Sequence, residues 1–417
     1  MSLEKINNFI WGNGLLFLLL STGLFLTLKF KLIQLRLPFL LKKHGKSENF
    51  GLSQFRTVCI SLGTAMGTGN IVGAASAVAV GGAGAVFWMW ISAFLGMALV
   101  YAENVLSSIY SDNELKGPMA YLTKGLGLPF YAMLFAIFCV CASLGMGGMA
   151  QISVFAEALG DCTDYSRPIA ALLIFCAVWL VTSGGGKRIG AAAQLLLPAA
   201  SVIYAIACIA VMVVNFKNIP QVFADIFREA FTFDSAVGGF GGYALSIGIR
   251  RGLFSNEAGL GSSPILHSAA EDGTHDTQAL WSMFEVFFDT IVCCTLTAVT
   301  VLCASENFSP AQALSTVMGD FSAEFIAAEL GVFSFCTVIG WYFCGATAFR
   351  HIFKGKYIAI YTLIYSVLAA VSALSSAESV WLISDIFNGL MAFVNISGIV
   401  GIILFNRSAR AKLYTNP

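Results

Sequence analysis

Apolar residues run along this chain in long blocks, separated by short polar or Gly/Pro breaks and without sustained two-residue alternation. Eleven blocks stand at about 9–30, 54–80, 85–109, 131–157, 168–183, 190–215, 235–260, 279–304, 323–349, 357–375 and 380–405. Blocks of this length without a strand period predict bilayer-spanning helices, because only closed backbone hydrogen bonding survives in lipid. The first has no basic segment before it and no A-x-A site after it, so it reads as a retained helix, not a cleaved signal.

Composition agrees. The 417 residues are 58% hydrophobic and 11% charged, with mean hydropathy +0.81, whereas soluble domains carry about 25% charged residues. That excludes a water-soluble enzyme. A formal net charge of zero gives no electrostatic case for a nucleic-acid partner. The positive charges are sorted along the chain: Lys31, Arg36, Lys42, Lys43 and Lys46 follow the first block. With that loop inside, threading eleven spans also puts Lys116, Lys124, Lys187, Arg188, Arg350, Lys354, Lys356, Arg407, Arg410 and Lys412 inside. Only Lys5, Arg167, Lys217 and Arg228 fall outside. The expectation is a multi-pass protein of the plasma (inner) membrane, N-terminus out and C-terminus cytoplasmic. Lipid surrounds it, and nothing demands more than a monomer or weak oligomer.

Most of the 11 cysteines lie in apolar runs and act as small hydrophobes, while Cys162 and Cys303 are the one conceivable bridge. No C-x-x-C or H-E-x-x-H occurs, so a metal framework is not expected. The run Ser183 to Arg188 fails as a phosphate loop, because Val181 holds the first Gly position and Arg188 replaces Ser/Thr. No G-x-S-x-G elbow occurs either, so an enzyme is not expected. A channel would show a repeated filter, which is absent.

Two blocks are too rich in glycine for ordinary membrane helices: Gly63 to Gly73, and Gly238 through Gly248 and Gly252 to Gly261. Such glycines serve either close helix packing through small-x-x-x-small faces or a broken helix whose freed backbone faces a ligand. Gly-interrupted spans at corresponding places in two halves point to a transporter's midplane site.

The run GTAMGTGNIVGAASAVAVGGAGAVFWMW followed by Glu103, and RGLFSNEAGLGSSP from Arg251 to Pro264, resemble the two signatures of the alanine/glycine:cation symporter family. FDTIVCCTLTA (Phe288 to Ala298) and FCTVIGW (Phe335 to Trp341) are similar to two further blocks. The resemblance covers most of the chain. It implies an all-α fold of eleven transmembrane helices: one extra N-terminal helix plus a five-plus-five inverted repeat of the amino acid-polyamine-cation or neurotransmitter:sodium symporter type. The divisions would be 1–50 (extra helix and basic cytoplasmic loop), 51–217 (first repeat), 218–405 (second repeat) and 406–417 (tail). It also implies sodium-coupled import of small neutral amino acids, alanine or glycine, by alternating access, with sodium co-transported and no organic cofactor. Three positions depart from the pattern: Ala83 stands for Pro, Cys336 for Ser, and Ser111-Asp112 for an expected basic residue.

A zwitterion in a membrane needs donors, acceptors and an apolar wall, and helix ends supply them more cheaply than charged side chains. Thr68 and Gly69 N–H groups are expected to bind the carboxylate, with Asn70 on the substrate or capping the break. Carbonyls around Tyr243, Ala244 and Ser246 are candidates for the ammonium. Gln151 is a buried amide that must find partners, and Trp341 is a wall limiting side-chain size. Sodium, a hard cation, would take the Gly63 and Met66 carbonyls and the Thr337 hydroxyl, with Thr295 and Thr297 second. Cys336 is a poor ligand beside them. Glu103 reads as a solvated anchor or a gate, and Arg251, Asn256 and Glu257 as a structural and gating network. Glu285 and Asp289 share a helix face, where they either pair with Arg250 and Arg251 or carry a proton or cation. The last option defines the rival, a proton-coupled carrier of the same fold. The four histidines (His44, His267, His275, His351) are expected to be solvated in loops or at span ends.

Overall fold

The computed structural model describes residues 3–47, 52–160, 166–231, 243–268, 275–374 and 377–415, all helix and connection, with no strand among them. A short α1 (Leu3–Ile10) leads into α2 (Asn13–Lys29) and α3 (Ile33–Ser47). The basic segment expected as a loop is therefore largely helical. Next come α4 (Leu52–Ala65), α5 (Gly69–Gly81), α6 (Gly84–Tyr110), α7 (117–125) and α8 (Pro129–Gly160). Then follow α9 (Ser166–Thr182), α10 (Gly185–Val214) and α11 (Ile219–Ala230). The second half holds α12 (Tyr243–Asn256), α13 (Ser262–His267), α14 (275–304), α15 (Pro310–Met318), α16 (Ser322–Phe353), α17 (Ile358–Ser372), α18 (Ala377–Phe405) and α19 (Arg407–Thr415).

Seven of these helices are long and apolar enough to cross a membrane, or eight if the bent pair α4–α5 counts as one span. Two shorter apolar helices, Pro168–Thr182 and Ile358–Ser372, coincide with two more of the eleven expected spans. The expected span 235–260 is described only from residue 243. Leu172, Leu173, Ile203, Ile206, Val213 and Ile360 are exposed along α9, α10 and α17, as expected where the solvent is hydrocarbon. The inside holds several apolar clusters, in which α6 packs against α2, α12 and α14, and α16 against α8, α4 and α10.

Amphipathic α11 was not anticipated. It buries Val222 and Ile226 and lies across the start of α6. There the Ala83 N–H donates to Glu229 Oε2 at 2.8 Å, a bond that Pro at this position lacks the N–H to make. At the other departure, Asp112 Oδ1 accepts from the Glu114 and Leu115 N–H groups, and Asp112 pairs with Lys124. The Lys124 hydrogen bond, helped by those two backbone donors, holds the Asp112 carboxyl down to about 2. All ten cysteines among the described residues are free thiols; Cys162, and with it the conceivable bridge to Cys303, lies outside them.

Candidate functional site between two interrupted helices

The hydrogen-bond ladder of α4 stops after Met66. The Met66 N–H still reaches the Leu62 carbonyl (2.7 Å), but that of Gly67 folds back to Ala65 (2.9 Å) and that of Thr68 leaves the helix for Gln151 Oε1 (2.9 Å). The chain bends by 48° and continues as α5, whose first turn, 69–73, is widened to π-type geometry. The Gly63 carbonyl, deprived of Gly67 as donor, accepts from Thr337 Oγ1 of α16 at 2.9 Å. Thr68 Oγ1 also donates to Gln151 Oε1 (3.0 Å). Gly67 lies between these side chains, since a Cβ there would stand 2.5 Å from Gln151 Oε1 and 2.6 Å from Thr337 Oγ1. Cys336 is buried beside Gly63, and Met66 is packed in the core.

Asn70, in the widened turn, donates to Asp289 Oδ1 (2.8 Å) and to the Asp289 carbonyl (3.1 Å). Asp289 itself lies in a second π-type stretch, 287–294 of α14, and Asp289 Oδ2 accepts from Ser255 (2.7 Å) and Thr290 (2.8 Å). Asn70, Ser255, Asp289 and Thr290 are all buried, and Asn70 Oδ1 has no hydrogen-bond partner among the described residues. The result is a cage of one amide and two hydroxyl donors around one carboxylate, drawn from α5, α12 and α14. A third π-type stretch, 143–150 of α8, runs directly into Gln151. Such turns cluster at functional sites because they release carbonyls from the ladder.

The second interruption lies elsewhere than expected. Tyr243, Ala244 and Ser246 belong to the first turn of α12, so their carbonyls are not released by a break; the Tyr243 side chain lies outside the described residues. The helix breaks instead after Asn256. Glu257 (φ 55°), Gly259 (φ 89°) and Gly261 (φ 82°) take left-handed conformations before α13 begins, which glycine enters without steric cost. The Ala258 N–H turns to Asn256 Oδ1 (3.0 Å), so the Phe254 carbonyl loses its usual donor. Glu257 Oε1 accepts from Trp341 Nε1 (2.8 Å) and Oε2 from Ser262 Oγ (2.6 Å). Trp341 is fully buried in the apolar core with its Cβ pressed on Gly147 of α8, so it is not an interfacial aromatic.

Several expected pairings give way to others. Glu103 is fully buried, not solvated, because Asn395 of α18 donates both to it and to the Gly259 carbonyl (2.9 Å), while Tyr121 donates to Asn395. Arg251 does not join Glu257: it points to Ser76 (3.5 Å), lies over the Trp381 ring (5.6 Å) and feels Asp385. Arg250 donates to the Trp11 carbonyl (2.6 Å). Neither arginine is bonded to Glu285, which accepts from Ser61 (2.6 Å) and contacts His267 Nε2 (3.1 Å); His267 Nδ1 meets Gln278 (2.7 Å). His267 is thus buried rather than solvated. His351 is half-buried, and the side chains of His44 and His275 lie outside the described residues. Thr295 and Thr297 serve Trp90 (2.8 Å) and Tyr204 (2.8 Å), away from both breaks.

Two helices are interrupted inside a bundle of long apolar helices, each held at its break by polar side chains of its neighbours, as in a polytopic membrane protein. The family model described as the sodium:alanine symporter family matches residues 1–415, and the chain belongs to that family. It is 37% identical over 422 residues to the sodium/alanine symporter AgcS of Methanococcus maripaludis, covering 95% of this chain and 93% of the other. An uncharacterized transporter of Haemophilus influenzae is 36% identical over 427 residues, 96% and 93% covered. The putative sodium/proton-dependent alanine carrier protein YrbD of Bacillus subtilis is 32% identical over 429 residues, 95% and 88% covered.

Proposed function

We propose that the protein imports small neutral amino acids, alanine and glycine, together with sodium by alternating access, as a monomer or weak oligomer of an eleven-span chain (one helix plus an inverted pair of five) with its C-terminus in the cytoplasm. One observation carries the reading. Thr337 and Trp341, one turn apart on α16, touch the two breaks, Thr337 at Gly63 and Trp341 at Glu257. One turn of a single helix therefore spans both interruptions, which puts them at one level of the bundle, as a midplane site requires.

In this reading the Thr68 and Gly69 amides and Gln151 receive the carboxylate, with Asn70 beside them, and Trp341 limits the side chain. The ammonium moves from the expected carbonyls at 243–246 to the Phe254 carbonyl at the second break. Sodium takes the Asp289 cage with Asn70, Ser255 and Thr290, while the Gly63 and Met66 carbonyls with Thr337 form a second oxygen set. Glu103, Arg251, Asn256 and Glu257 hold and gate the breaks. The test is uptake of radiolabelled L-alanine into proteoliposomes at constant pH, with sodium or potassium outside. Accumulation with sodium alone supports the reading, and equal uptake with potassium overturns it.

The proton-coupled alternative has one observation in its favour, the buried Ser61–Glu285–His267 chain, together with the relative described as sodium/proton-dependent. His267 belongs to α13, outside the expected spans 235–260 and 279–304. Burial pulls its pKa down, but Glu285 beside it and the Gln278 contact more than offset this, so the net direction is up. A raised folded pKa stabilises below the unfolded value, near 6.5, and that contribution is lost as pH rises through the folded pKa. The Tm of the wild type in detergent should therefore fall as pH rises above about 6.5, and His267→Gln should flatten the fall. A proton-driven cycle would in addition show alanine uptake under a pH gradient without sodium, lost in Glu285→Gln or Asp289→Asn.

A further inference from the structure

Asn388, on α18, is 1% exposed, and neither its Nδ2 nor its Oδ1 has a hydrogen-bond partner among the described residues. A buried amide left wholly unpaired in an apolar surrounding costs several kcal/mol, and both ends of this one are open to a bound group. The helix tells what it faces. Trp381, seven residues earlier, stacks on Phe254 with ring centroids 4.8 Å apart. Asn395, seven residues later, donates to the Gly259 carbonyl. Seven residues are two turns and return a side chain to nearly the same face, so Asn388 faces the stretch between Phe254 and Gly259, about 10 Å along the helix from each neighbour. That stretch is the second break. One turn earlier Ser384 abuts Gly145 of the π-type stretch of α8, where a Cβ would meet Ser384 Oγ at 2.7 Å, so the other side of Asn388 faces the segment that leads to Gln151. Asn256 Nδ2, in the break, is the second unpaired buried amide donor here.

We infer that Asn388 is a recognition group for the backbone of the transported α-amino acid, an assignment that rests on the transport reading above. A carboxamide presents an acceptor and a donor side by side, as an α-amino acid presents its ammonium and carboxylate. Oδ1 accepts from the ammonium, sharing it with the Phe254 carbonyl, and Nδ2 donates to a carboxylate oxygen. The contact reads only what all α-amino acids share, so it sets affinity and not the choice between alanine and glycine, which is left to Trp341.

The experiment is equilibrium binding of radiolabelled L-alanine, and separately of glycine, to the purified full-length protein in sodium buffer, comparing wild type, Asn388→Leu and Asn388→Asp. Losing the amide pair should raise the half-saturating concentration in Asn388→Leu at least about tenfold, by the same factor for both ligands and with the number of sites unchanged. Asn388→Asp keeps the acceptor and should bind more tightly than Asn388→Leu. Unchanged half-saturation in Asn388→Leu, or a loss confined to the number of sites, overturns the assignment alone. A wild type without saturable binding of either ligand overturns the transport reading and the assignment together.

Discussion

Replacing Asp289 by Asn is expected to abolish sodium dependence while leaving the protein folded. The two side chains have the same shape, so packing is undisturbed, and an amide oxygen can still accept from Ser255 and Thr290. What disappears is the formal charge at the centre of the cage. A hard monovalent cation in a dry site is held mainly by such a charge, and charge-assisted contacts of about 2–3 kcal/mol translate into a loss of roughly 30-fold or more in sodium affinity. The same substitution removes a buried carboxylate whose partners are all neutral, a costly arrangement. Asp289→Asn should therefore melt no lower than the wild type in sodium-free buffer. Added sodium should raise the Tm of the wild type by mass action and leave the variant unmoved. Thermal melts across a sodium titration, beside alanine uptake, check both halves; a variant with wild-type sodium response removes Asp289 from the cation site.

Gly67→Ala is the second substitution with a large expected effect. Its Cβ would lie 2.5 and 2.6 Å from the ends of Gln151 and Thr337. Both neighbours are side-chain tips that can rotate aside, so the helices need not separate and the fold survives. The cost falls on function, because Gln151 leaves the Thr68 N–H and Thr337 leaves the Gly63 carbonyl. Two hydrogen bonds of about 1 kcal/mol each, with their buried partners left unsatisfied, predict alanine uptake lowered at least about 30-fold with an unchanged size-exclusion profile. Gly73→Ala, where a new Cβ would come no closer than 4.0 Å to the Thr68 carbonyl, is the control and should transport normally. Equal activity in both variants would remove the first break from the site.

The helices were legible because a bilayer admits long apolar runs in only one backbone form. The interruptions were only half legible. Glycine marks where a helix can break or pack closely, and in the seventh apolar block it occurs along most of the length, so density could not separate 243–246 from 257–261. The position of the second break is decided by tertiary partners: Trp341 and Ser262 holding Glu257, and Asn395 holding Gly259. Formal charge misled in a related way. Arg250 and Arg251 looked like the natural partners of Glu285 and Asp289, yet Ser61 and His267 hold Glu285 and neutral donors hold Asp289. Asn388, Asn395 and Ser255 passed unnoticed among apolar neighbours. Their signal was present all the same, since an amide or hydroxyl inside an apolar run must find a partner or a ligand.

Because Thr337 and Trp341 lie on one stiff helical turn, the two cargoes would report to the same rigid body. Whatever factor sodium adds to the affinity for alanine, alanine must add to the affinity for sodium. Stoichiometric co-movement then needs no contact between ion and amino acid, only one turn of α16 that settles fully when both Thr337 and Trp341 are engaged.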